Sequence, residues 1–295
     1  MRILLFGRSG QLGSALSRRL APLGQIIAPD RHVDFRNPSA VYHFVADQKP
    51  NVIVNAAAWT AVDDAEDNKS AVGLINTEAP AMLARAALEC DALMVHYSTD
   101  YVFDGSGSRP WRETDTARPC NVYGASKLAA DDAIKASGCR HLIFRCSWIY
   151  ADQGSSFLQT MMQLAKERET LSVVDDQIGS PTHARLIADV TVHAMKLACS
   201  HPGKFDGIYH LAADGEASWF DYACHIFARM KQNGVDLSLR QVIPVSSTSY
   251  ASRARRPLNS RLCTQKLQDT FQLSLPGWQA DVDATVDRIC TMITR

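Results

Sequence analysis

The sequence predicts an α/β fold, in which a doubly wound parallel sheet is joined by a smaller, interleaved substrate domain. Short β-rich apolar runs alternate with helical stretches through the first half of the chain. A glycine-rich turn directly follows the first of these runs. No Gly/Ser-rich or Pro-rich linker divides the chain, so we expect a second domain to be interleaved with the first rather than tethered to it.

The first half alternates strands and helices along its whole length. Strands are predicted at residues 2–6, 25–28, 52–55, 92–97 and 141–146. Helices are predicted at residues 12–23, 39–48, 70–89 and 123–136. Because a helix between two strands lets them run parallel in one sheet, we assign residues 1–146 to a dinucleotide-binding domain.

The second half has longer polar connections between its elements. Helices are predicted at residues 157–167, 186–198 and 218–231 and within 281–294, and strands at residues 171–174 and 207–211. We assign residues 147–295 mainly to a substrate-binding domain, and we expect late strands to rejoin the main sheet.

The composition argues against several classes of partner. Thirty-one Lys and Arg balance 31 Asp and Glu, so no overall positive field attracts nucleic acid or an anionic membrane. The four apolar residues 3–6 before Gly7 are too few for a signal peptide, and no later run is long enough to span a bilayer. The eight cysteines are scattered without a C-x-x-C pair. We therefore expect a cytoplasmic protein with reduced thiols and no structural or catalytic metal.

The glycine-rich turn has the spacing G-x-x-G-x-x-G, with Gly7, Gly10 and Gly13 followed through Gln11 and Leu12 into a helix. Missing side chains let a pyrophosphate approach backbone N–H groups, and the helix N-terminus adds positive potential. The turn therefore predicts a dinucleotide site.

Acidic and basic residues at the end of the second strand bear on the adenosine half of that dinucleotide. Asp30 lies where a carboxylate accepts hydrogen bonds from ribose hydroxyls, which favours NAD. Arg8 and Arg31 lie where a guanidinium could neutralise the 2′-phosphate of NADP. The preference therefore stays open, and Asp34 and Phe35 are expected near the adenine.

Small and aromatic residues complete the expected cofactor-binding set. In Asn55-Ala56-Ala57-Ala58 the small side chains of Ala57 and Ala58 let a cofactor lie against the backbone. Tyr97, at the end of the fourth predicted strand, is also expected to contact the cofactor.

Tyr123 and Lys127 are four residues apart on a predicted helix and share one of its faces. An adjacent ammonium and a helix N-terminus stabilise a phenolate, so we expect the pKa of Tyr123 to be lowered toward the working range. A tyrosine of this kind can donate a proton to a carbonyl. Thr99, at the end of the preceding strand, can orient the same carbonyl through its hydroxyl.

These segments resemble the extended short-chain dehydrogenase/reductases, which have a Rossmann-type fold. The resemblance spans nearly the whole chain, and later segments narrow it to the branch that makes dTDP-L-rhamnose. The segments that carry it are the glycine-rich turn, Asn55-Ala56-Ala57-Ala58, Ser98 to Phe103, Tyr123 with Lys127, Arg145 to Tyr150, Asp176 to Thr182 and Arg255 to Ser260.

The resemblance implies an oxidoreductase that transfers hydride from NADH or NADPH to C4 of a nucleotide-sugar, dTDP-4-dehydro-L-rhamnose. Tyr123 would protonate the developing alkoxide, while Lys127 would hold the nicotinamide ribose. The residues implied in substrate binding are Thr99 and Asp100 at the sugar, Trp148 against its apolar face, Val62 and Asp63 in the pocket, and Arg255 and Arg256 at the diphosphate.

Other interpretations remain open. A nucleotide-sugar epimerase or dehydratase shares the turn and the Tyr–Lys pair, although Tyr101 stands where a dehydratase typically has a glutamate. A non-catalytic regulatory subunit, like the β subunit of methionine adenosyltransferase, could use the same fold. His96 reads as a packed strand residue, and the acidic pairs 63–64 and 66–67 read as a solvated turn and helix start.

Some relatives are described as homodimers joined through magnesium and glutamates. Ala15, Arg185 and Asp287 stand at the matching positions. Since alanine offers no oxygen ligand and a guanidinium repels the ion, we predict no intersubunit magnesium site. A monomer and a homodimer both remain possible.

Overall fold

The computed structural model describes residues 1–29, 33–249 and 252–293. The strands of the first half are β1 (Arg2–Phe6), β2 (Gln25–Ile27), β3 (Val52–Asn55), β4 (Leu93–Thr99) and β5 (His141–Cys146). Its helices are α1 (Gln11–Leu20), α2 (Pro38–Gln48), α3 (Val62–Ala65), α4 (Lys69–Gly73), α5 (Ala79–Glu89) and α6 (Val122–Ser137). The predicted alternation of strand and helix is therefore confirmed.

The second half contributes smaller strands and longer helices. The strands are β6 (Ile149–Tyr150), β7 (Thr170–Val174), β8 (Ile178–Gly179), β9 (Thr182–His183), β10 (Gly207–Leu211), β11 (Ala217–Ser218) and β12 (Gln241–Val245). The helices are α7 (Phe157–Glu167), α8 (Ala184–Ser200), α9 (Trp219–Gln232), α10 (Gln265–Phe271) and α11 (Trp278–Ile293).

Within the described residues, one six-stranded parallel sheet forms the centre of the fold. Its order is β10-β5-β4-β3-β1-β2, so the strand from the second half rejoins the main sheet as expected. The chain leaves β1 for β2 on one side and reaches β3 on the other, which places a switch point at the carboxyl end of β1. Ligands of doubly wound sheets bind at such a point.

Alternation along the strands builds an apolar layer on each side of this sheet. On β1, Ile3 and Leu5 pack with α1, α8 and α10, whereas Leu4 and Phe6 pack with α2 and α5. A separate apolar cluster joins α7, α9 and α11. The second half therefore has a core of its own beside the main sheet.

The helix predicted at residues 70–89 is interrupted, and Pro80 supplies the reason. A π-helical turn at Leu74–Glu78 separates α4 from α5. Pro80 has no N–H for the carbonyl of Asn76, and its ring would collide with that group in a regular helix. The side-chain amide of Asn76 bonds the backbone of Trp59 and the hydroxyl of Ser126 in this turn.

The other predicted boundaries differ by a few residues. The first helix ends at Leu20 and continues as a 3₁₀ turn at Ala21–Leu23 that contains Pro22. Strand β4 runs two residues past the predicted end, to Thr99. The strands β6, β8, β9, β11 and β12 and the helices α3, α4 and α10 were not predicted as separate elements.

Candidate active site

The glycine-rich turn lies against the end of β3 at the switch point. Gly7 has a positive φ of 78°, and a Cβ there would stand 2.5 Å from the backbone of Ala56. A Cβ on Gly13 would overlap the carbonyl of Gly7. Gly10 is the N-cap of α1 and gives it no side-chain cap, so the N-terminal N–H groups remain available for an anion.

The residues after Gly10 divide between the turn and the core. Leu12 packs into the core between α1 and the sheet. Gln11 donates from Nε2 to the carbonyl of Ser155 at 2.6 Å. The side chain of Gln11 therefore ties the turn to the loop after β6.

The residues expected near the adenosine lie in different surroundings. Asp30 and Arg31 lie outside the described residues. Asp34 forms an exposed ion pair with Arg36 at 2.8 Å. Phe35 is buried edge-on against Phe6, with 5.3 Å between ring centroids, so the expectation of an adenine contact from this ring is corrected to a core role.

Tyr97 also differs from expectation. Its side chain is buried in the core, and its hydroxyl is 2.9 Å from Oγ1 of Thr191 on α8. The phenol of Tyr97 therefore binds a helix rather than a cofactor. Ala57 and Ala58 are half-buried at the end of β3, and the N–H of Ala57 donates to Asn55 Oδ1 at 3.1 Å.

Thr99 and Asp100 form a tight turn at the carboxyl end of β4. Thr99 Oγ1 accepts from the N–H of Tyr101 at 3.2 Å and donates to Asp100 Oδ1 at 3.1 Å. Burial raises the pKa of Asp100 from 3.8 to about 7, against hydrogen bonds from Ser260 and Thr99. Asp100 is therefore a carboxyl that holds its proton close to neutral pH.

Helix α6 begins beside this turn and carries Tyr123 in its first turn. Its N-cap Asn121 accepts from the N–H of Gly124 at 2.7 Å, and Glu66 accepts from the N–H of Val122 at 2.9 Å. The ring of Tyr123 packs edge-on against Tyr101, two residues after Thr99, with 5.8 Å between ring centroids, and Thr99 is close enough to act on the pKa of the Tyr123 hydroxyl. The structure thus brings together the two residues expected to meet the carbonyl.

The pKa of Tyr123 moves in the direction opposite to the expected one. Burial raises it, and Thr99 only partly opposes that rise. The expectation that Lys127 lowers this pKa is wrong for this structure, because the Lys127 amine lies 2.9 Å from Nε2 of His96. Tyr123 is therefore held as a neutral phenol, which is the form that donates a proton.

Lys127 lies in a buried polar cluster. Its pKa is lowered to about 8 by burial, against the carboxylate of Asp131. Asp131 in turn accepts from Arg145 Nε at 3.0 Å and from the Ser98 hydroxyl at 3.0 Å. His96, expected only to pack, is fully buried and contacts both Lys127 and Asn55.

Trp148 has a positive φ of 45°, which is unusual for a bulky residue. Its indole stacks on Trp219 with 3.6 Å between centroids and 9° between planes. A Cβ on Gly179 would stand 2.6–2.9 Å from three atoms of the same indole, so the absence of a side chain at Gly179 makes room for the ring. The expected contact of Trp148 with the apolar face of a sugar stays a prediction.

The acidic residues of α3 hold the loop that contains the two arginines. Asp63 accepts from Arg256 at 2.7 Å and from the N–H of Ala254 at 3.0 Å, while Arg255 is exposed. The expected solvated acidic turn is therefore wrong for Asp63 and for Glu66. Val62, beside Asp63, is half-buried at the start of α3.

Two of the three positions that match the magnesium-binding glutamates of some relatives, Arg185 and Asp287, form ion pairs. Arg185 binds Asp281 at 2.9 Å, and Asp287 binds Arg229 at 2.6 Å. Among residues 1–29, 33–249 and 252–293, no group of three or more His, Cys, Asp or Glu side chains could hold a metal ion. No helix in this part of the chain is long and apolar enough to cross a membrane.

Comparison with known sequences identifies relatives over nearly the whole chain. The family model described as the RmlD substrate binding domain matches residues 1–291. A dTDP-4-dehydrorhamnose reductase from Escherichia coli (strain K12) is 48% identical over 296 residues, covering 99% of each chain.

Comparison with solved structures identifies proteins of the same name as the sequence comparison does. A dTDP-4-dehydrorhamnose reductase from Clostridium acetobutylicum superposes with a TM-score of 0.90 at 33% identity, covering 98% of this chain and 99% of that one. A second, from Bacillus anthracis in complex with NADP, has a TM-score of 0.87 at 33% identity, with 96% and 98% covered. The predicted fold class and the resemblance drawn from the sequence are confirmed.

Proposed function

Because the chain belongs to the family described as the RmlD substrate binding domain, we propose that Tyr123, Thr99 and Lys127 are the catalytic residues of a reductase. The reaction is the reduction of the C4 keto group of dTDP-4-dehydro-L-rhamnose by NADH or NADPH, which gives dTDP-L-rhamnose. The observation that carries the assignment of residues is the position of Tyr123 in the first turn of α6, where its ring packs against Tyr101 at 5.8 Å, directly beside the turn that begins at Thr99. Thr99 ends β4 at the sheet edge to which the glycine-rich turn belongs.

The glycine-rich turn fits a dinucleotide. The N-terminus of α1 has no side-chain cap and no acidic residue in its first turn, so its N–H groups and dipole favour a pyrophosphate. Gly7, Gly10 and Gly13 would hold that group, and the exposed Arg8 adds positive charge. When bound, the nicotinamide cofactor supplies the hydride.

Tyr123 supplies the proton that balances the hydride. Its O–H bond breaks as a new O–H bond forms on the oxygen at C4, and the phenolate left behind regains a proton from solvent. A raised pKa keeps the phenol protonated before each turnover. Thr99, at the end of β4 beside Tyr123, orients the same oxygen.

The substrate side of the site is formed mainly by the second half of the chain. Arg255 is the exposed guanidinium available to a diphosphate, whereas Arg256 is already paired with Asp63. Trp148 lies against the apolar face of the sugar in this proposal, and the buried carboxyl of Asp100 also faces the sugar. Asp100, which retains its proton near pH 7, would donate a hydrogen bond to it.

The test compares Tyr123→Phe with Tyr209→Phe. Removal of the proton donor should reduce turnover by about 10²–10⁴-fold while cofactor affinity changes little. The hydroxyl of Tyr209 bonds the carbonyl of Phe205 at 2.8 Å in the core, so its loss should leave turnover close to wild type. Oxidation of NADPH is followed by absorbance with dTDP-4-dehydro-L-rhamnose generated in place.

Two results would contradict the assignment. Wild-type turnover in Tyr123→Phe would remove this residue from the chemistry. Absence of turnover in the wild-type protein, with cofactor bound, would favour the regulatory-subunit interpretation. An epimerase would retain its cofactor and accumulate no oxidised form.

The setting of the reaction is also part of the proposal. We place it in the cytoplasm, with a monomer or homodimer as the active form and no metal ion required. The hydride and proton steps assigned to Tyr123, Thr99 and Lys127 need no Lewis acid.

A further inference from the structure

The indoles of Trp148 and Trp219 form a stacked pair at the edge of the proposed site. Their centroids are 3.6 Å apart, and their planes differ by 9°. Trp148 follows β5 by two residues, and Cys146, the last residue of β5, lies opposite Thr99 in the register of the sheet. The backbone of Trp148 is therefore within about 7 Å of Cys146, at the strand ends where Thr99 lies. The proposed function uses Trp148 at the sugar and gives Trp219 no role.

The backbone of Trp148 has an uncommon conformation. Its φ of 45° lies in the left-handed region, where a bulky residue is an outlier. Such a conformation persists only where the surrounding structure determines it, and residues of this kind cluster at active sites and ligand clamps. The carbonyl of Trp148 accepts from the N–H of Thr182 at 3.1 Å, which holds the backbone. The indole itself has to be held by its packing.

One short segment brings both indoles their partners. Strand β8 pairs antiparallel with β11, and Trp219 directly follows β11. At the end of β8, Gly179 leaves room for the indole of Trp148, since a Cβ there would stand 2.6–2.9 Å from three of its atoms. Directly before β8, Gln177 accepts from Nε1 of Trp219 at 3.1 Å. The pairing of β8 with β11 thus places the two rings together.

Trp219 is fixed both at its backbone and at its ring. It is the first residue of α9, whose start is set by a capping box between Ser218 and Asp221. The ring also packs on Phe157 with 4.6 Å between centroids. An indole N–H can only donate, so the oxygen of the Gln177 amide has to face it. Because Gln177 is only 9% exposed, this hydrogen bond is shielded from water.

The aromatic pair belongs to the second core of the protein. Trp148 and Trp219 both pack against the apolar cluster of α7, α9 and α11. Thr99 and Tyr123 instead lie on β4 and α6, which belong to the main sheet and its flanking helices. A change at Trp219 should therefore disturb the contact with a sugar more than the contact with a cofactor.

The stack limits how a ligand can meet Trp148. Trp219 occupies one face of the indole, so a ligand is restricted to the other face or the edge. Aromatic rings interact favourably only in a limited set of orientations. A ring that is already held in place loses less conformational freedom when a ligand binds.

We propose that Trp219 is a positioning residue, which holds the indole of Trp148 in the orientation that binds the sugar of the nucleotide-sugar. Gln177 fixes the orientation of Trp219 in turn. The contact between Trp148 and the sugar rests on the proposed function. The experiments below measure binding without turnover, so the two proposals can fail separately.

The first experiment observes the indoles without ligand. The chain has five tryptophans, which give five indole N–H signals in a ¹H–¹⁵N NMR spectrum. Trp148→Phe assigns the signal of Trp148 by its loss. In Trp219→Leu this signal should move toward the position of an unstacked indole, whereas Trp219→Phe, which keeps a flat ring, should retain most of the original shift. An unmoved signal in Trp219→Leu would overturn the proposal.

The second experiment compares the binding of dTDP-L-rhamnose and dTDP by calorimetry. Trp219→Leu should weaken dTDP-L-rhamnose about 3–10-fold and leave dTDP close to wild type, and Trp219→Phe should recover most of the loss. Phe227→Leu is the matched control, because it removes a ring from the same cluster about two turns further along α9. Both ligands should bind it as they bind the wild type. An equal loss for both ligands in Trp219→Leu, or the same loss in Phe227→Leu, would overturn the proposal.

A double variant shows whether Trp219 acts through Trp148. In a Trp148→Leu background, Trp219→Leu should weaken dTDP-L-rhamnose no further, and an additive loss would overturn the proposal. Gln177→Met removes only the acceptor of the Trp219 N–H and provides the test if Trp219→Leu does not fold. It should weaken dTDP-L-rhamnose and not dTDP, and wild-type binding of both would overturn the proposal.

The wild-type protein separates this proposal from the proposed function. Tighter binding of dTDP-L-rhamnose than of dTDP, dependent on Trp148 and Trp219 but without reductase activity, would leave this proposal standing while the proposed function fails. Equal affinity of the wild-type protein for the two ligands would overturn the role of Trp219.

Discussion

Asp100→Asn should make the free energy of unfolding less dependent on pH. Asp100 is 2% exposed, and burial raises its pKa from 3.8 to about 7 in the folded protein. An unfolded chain ionises this carboxyl near its ordinary pKa of 3.8, so between pH 3.8 and about pH 7 the native state binds more protons than the unfolded state. The free energy of unfolding therefore falls as pH rises through this window.

The size of the effect follows from the pKa shift. A rise of about three pKa units corresponds to roughly 4 kcal/mol of lost stability when the loss is complete. Roughly 3 kcal/mol of it falls between about pH 5 and about pH 8. Asparagine has a similar shape but does not titrate, so the free energy of unfolding of Asp100→Asn lacks this pH-dependent loss.

The test is urea unfolding of the wild-type protein and of Asp100→Asn, followed by tryptophan fluorescence. It measures the difference between their free energies of unfolding at about pH 5 and at about pH 8. We expect the stability of Asp100→Asn relative to wild type to increase by about 3 kcal/mol from the lower to the higher pH. An equal difference at both pH values would refute the assignment of a raised pKa to this carboxyl.

Asp115→Asn is the matched control, because the pKa of Asp115 is shifted in the opposite direction, below its ordinary value. Hydrogen bonds from Arg109 and from the N–H of Arg112 lower the pKa of Asp115 to about 2. Its contribution to stability is present above the unfolded pKa and is lost as pH falls toward about 2. The difference between Asp115→Asn and wild type should therefore stay constant between about pH 5 and about pH 8.

Three further predictions address the cofactor, the metal and the substrate side. Asp30→Ala should relax any preference for NADH, since the carboxylate repels a 2′-phosphate; an unchanged ratio of kcat/KM for NADH and NADPH would exclude Asp30 from the ribose. Exhaustive EDTA treatment should change neither activity nor sedimentation, because Ala15 and Arg185 offer no oxygen ligands; a loss of either that magnesium restores would contradict this. Gly179→Ala should raise KM for the nucleotide-sugar several-fold more than KM for the cofactor, because the added methyl displaces the indole of Trp148; equal effects on both would show that this ring does not contact the substrate.

The main sheet could be predicted from the sequence because four of its strands, β1, β3, β4 and β5, each contain an uninterrupted run of three or four apolar residues. A parallel strand covered on both faces needs such a run, and helices of regular period separate the strands. The two-residue strands β6, β8, β9 and β11 have no period to detect. Strand β12 pairs with the distant β7, which local sequence does not specify.

The candidate site shows the same division between local and distant information. Tyr123 and Thr99 were predicted from spacing and position, and the structure places Tyr123 against Tyr101, in the turn that begins at Thr99. Phe35 and Trp148 were assigned to ligands, but their neighbours Phe6 and Trp219 lie far from them in the sequence. Residue type identifies a flat apolar surface, whereas only the tertiary structure shows what covers it.

Asn55 and His96 show why part of the site escapes prediction. Each resembles an ordinary polar residue in a buried strand, and neither belongs to a spacing pattern with Lys127. Their interaction depends on the register of β3 and β4, which places Asn55 opposite His96. That register is set by the packing of the whole sheet.

The return of β10 to the main sheet has a consequence for synthesis of the chain. Strand β5 pairs with β4 on one side and with β10 on the other, so a ribosome-bound chain that has not yet released Gly207–Leu211 leaves one edge of β5 unpaired. That edge is the apolar segment His141–Cys146, and exposed edges of this kind pair with other chains. A nascent chain that stalls before residue 207 would therefore be prone to aggregate and dependent on chaperones, even though every residue of the glycine-rich turn and the Tyr–Lys pair has already been made.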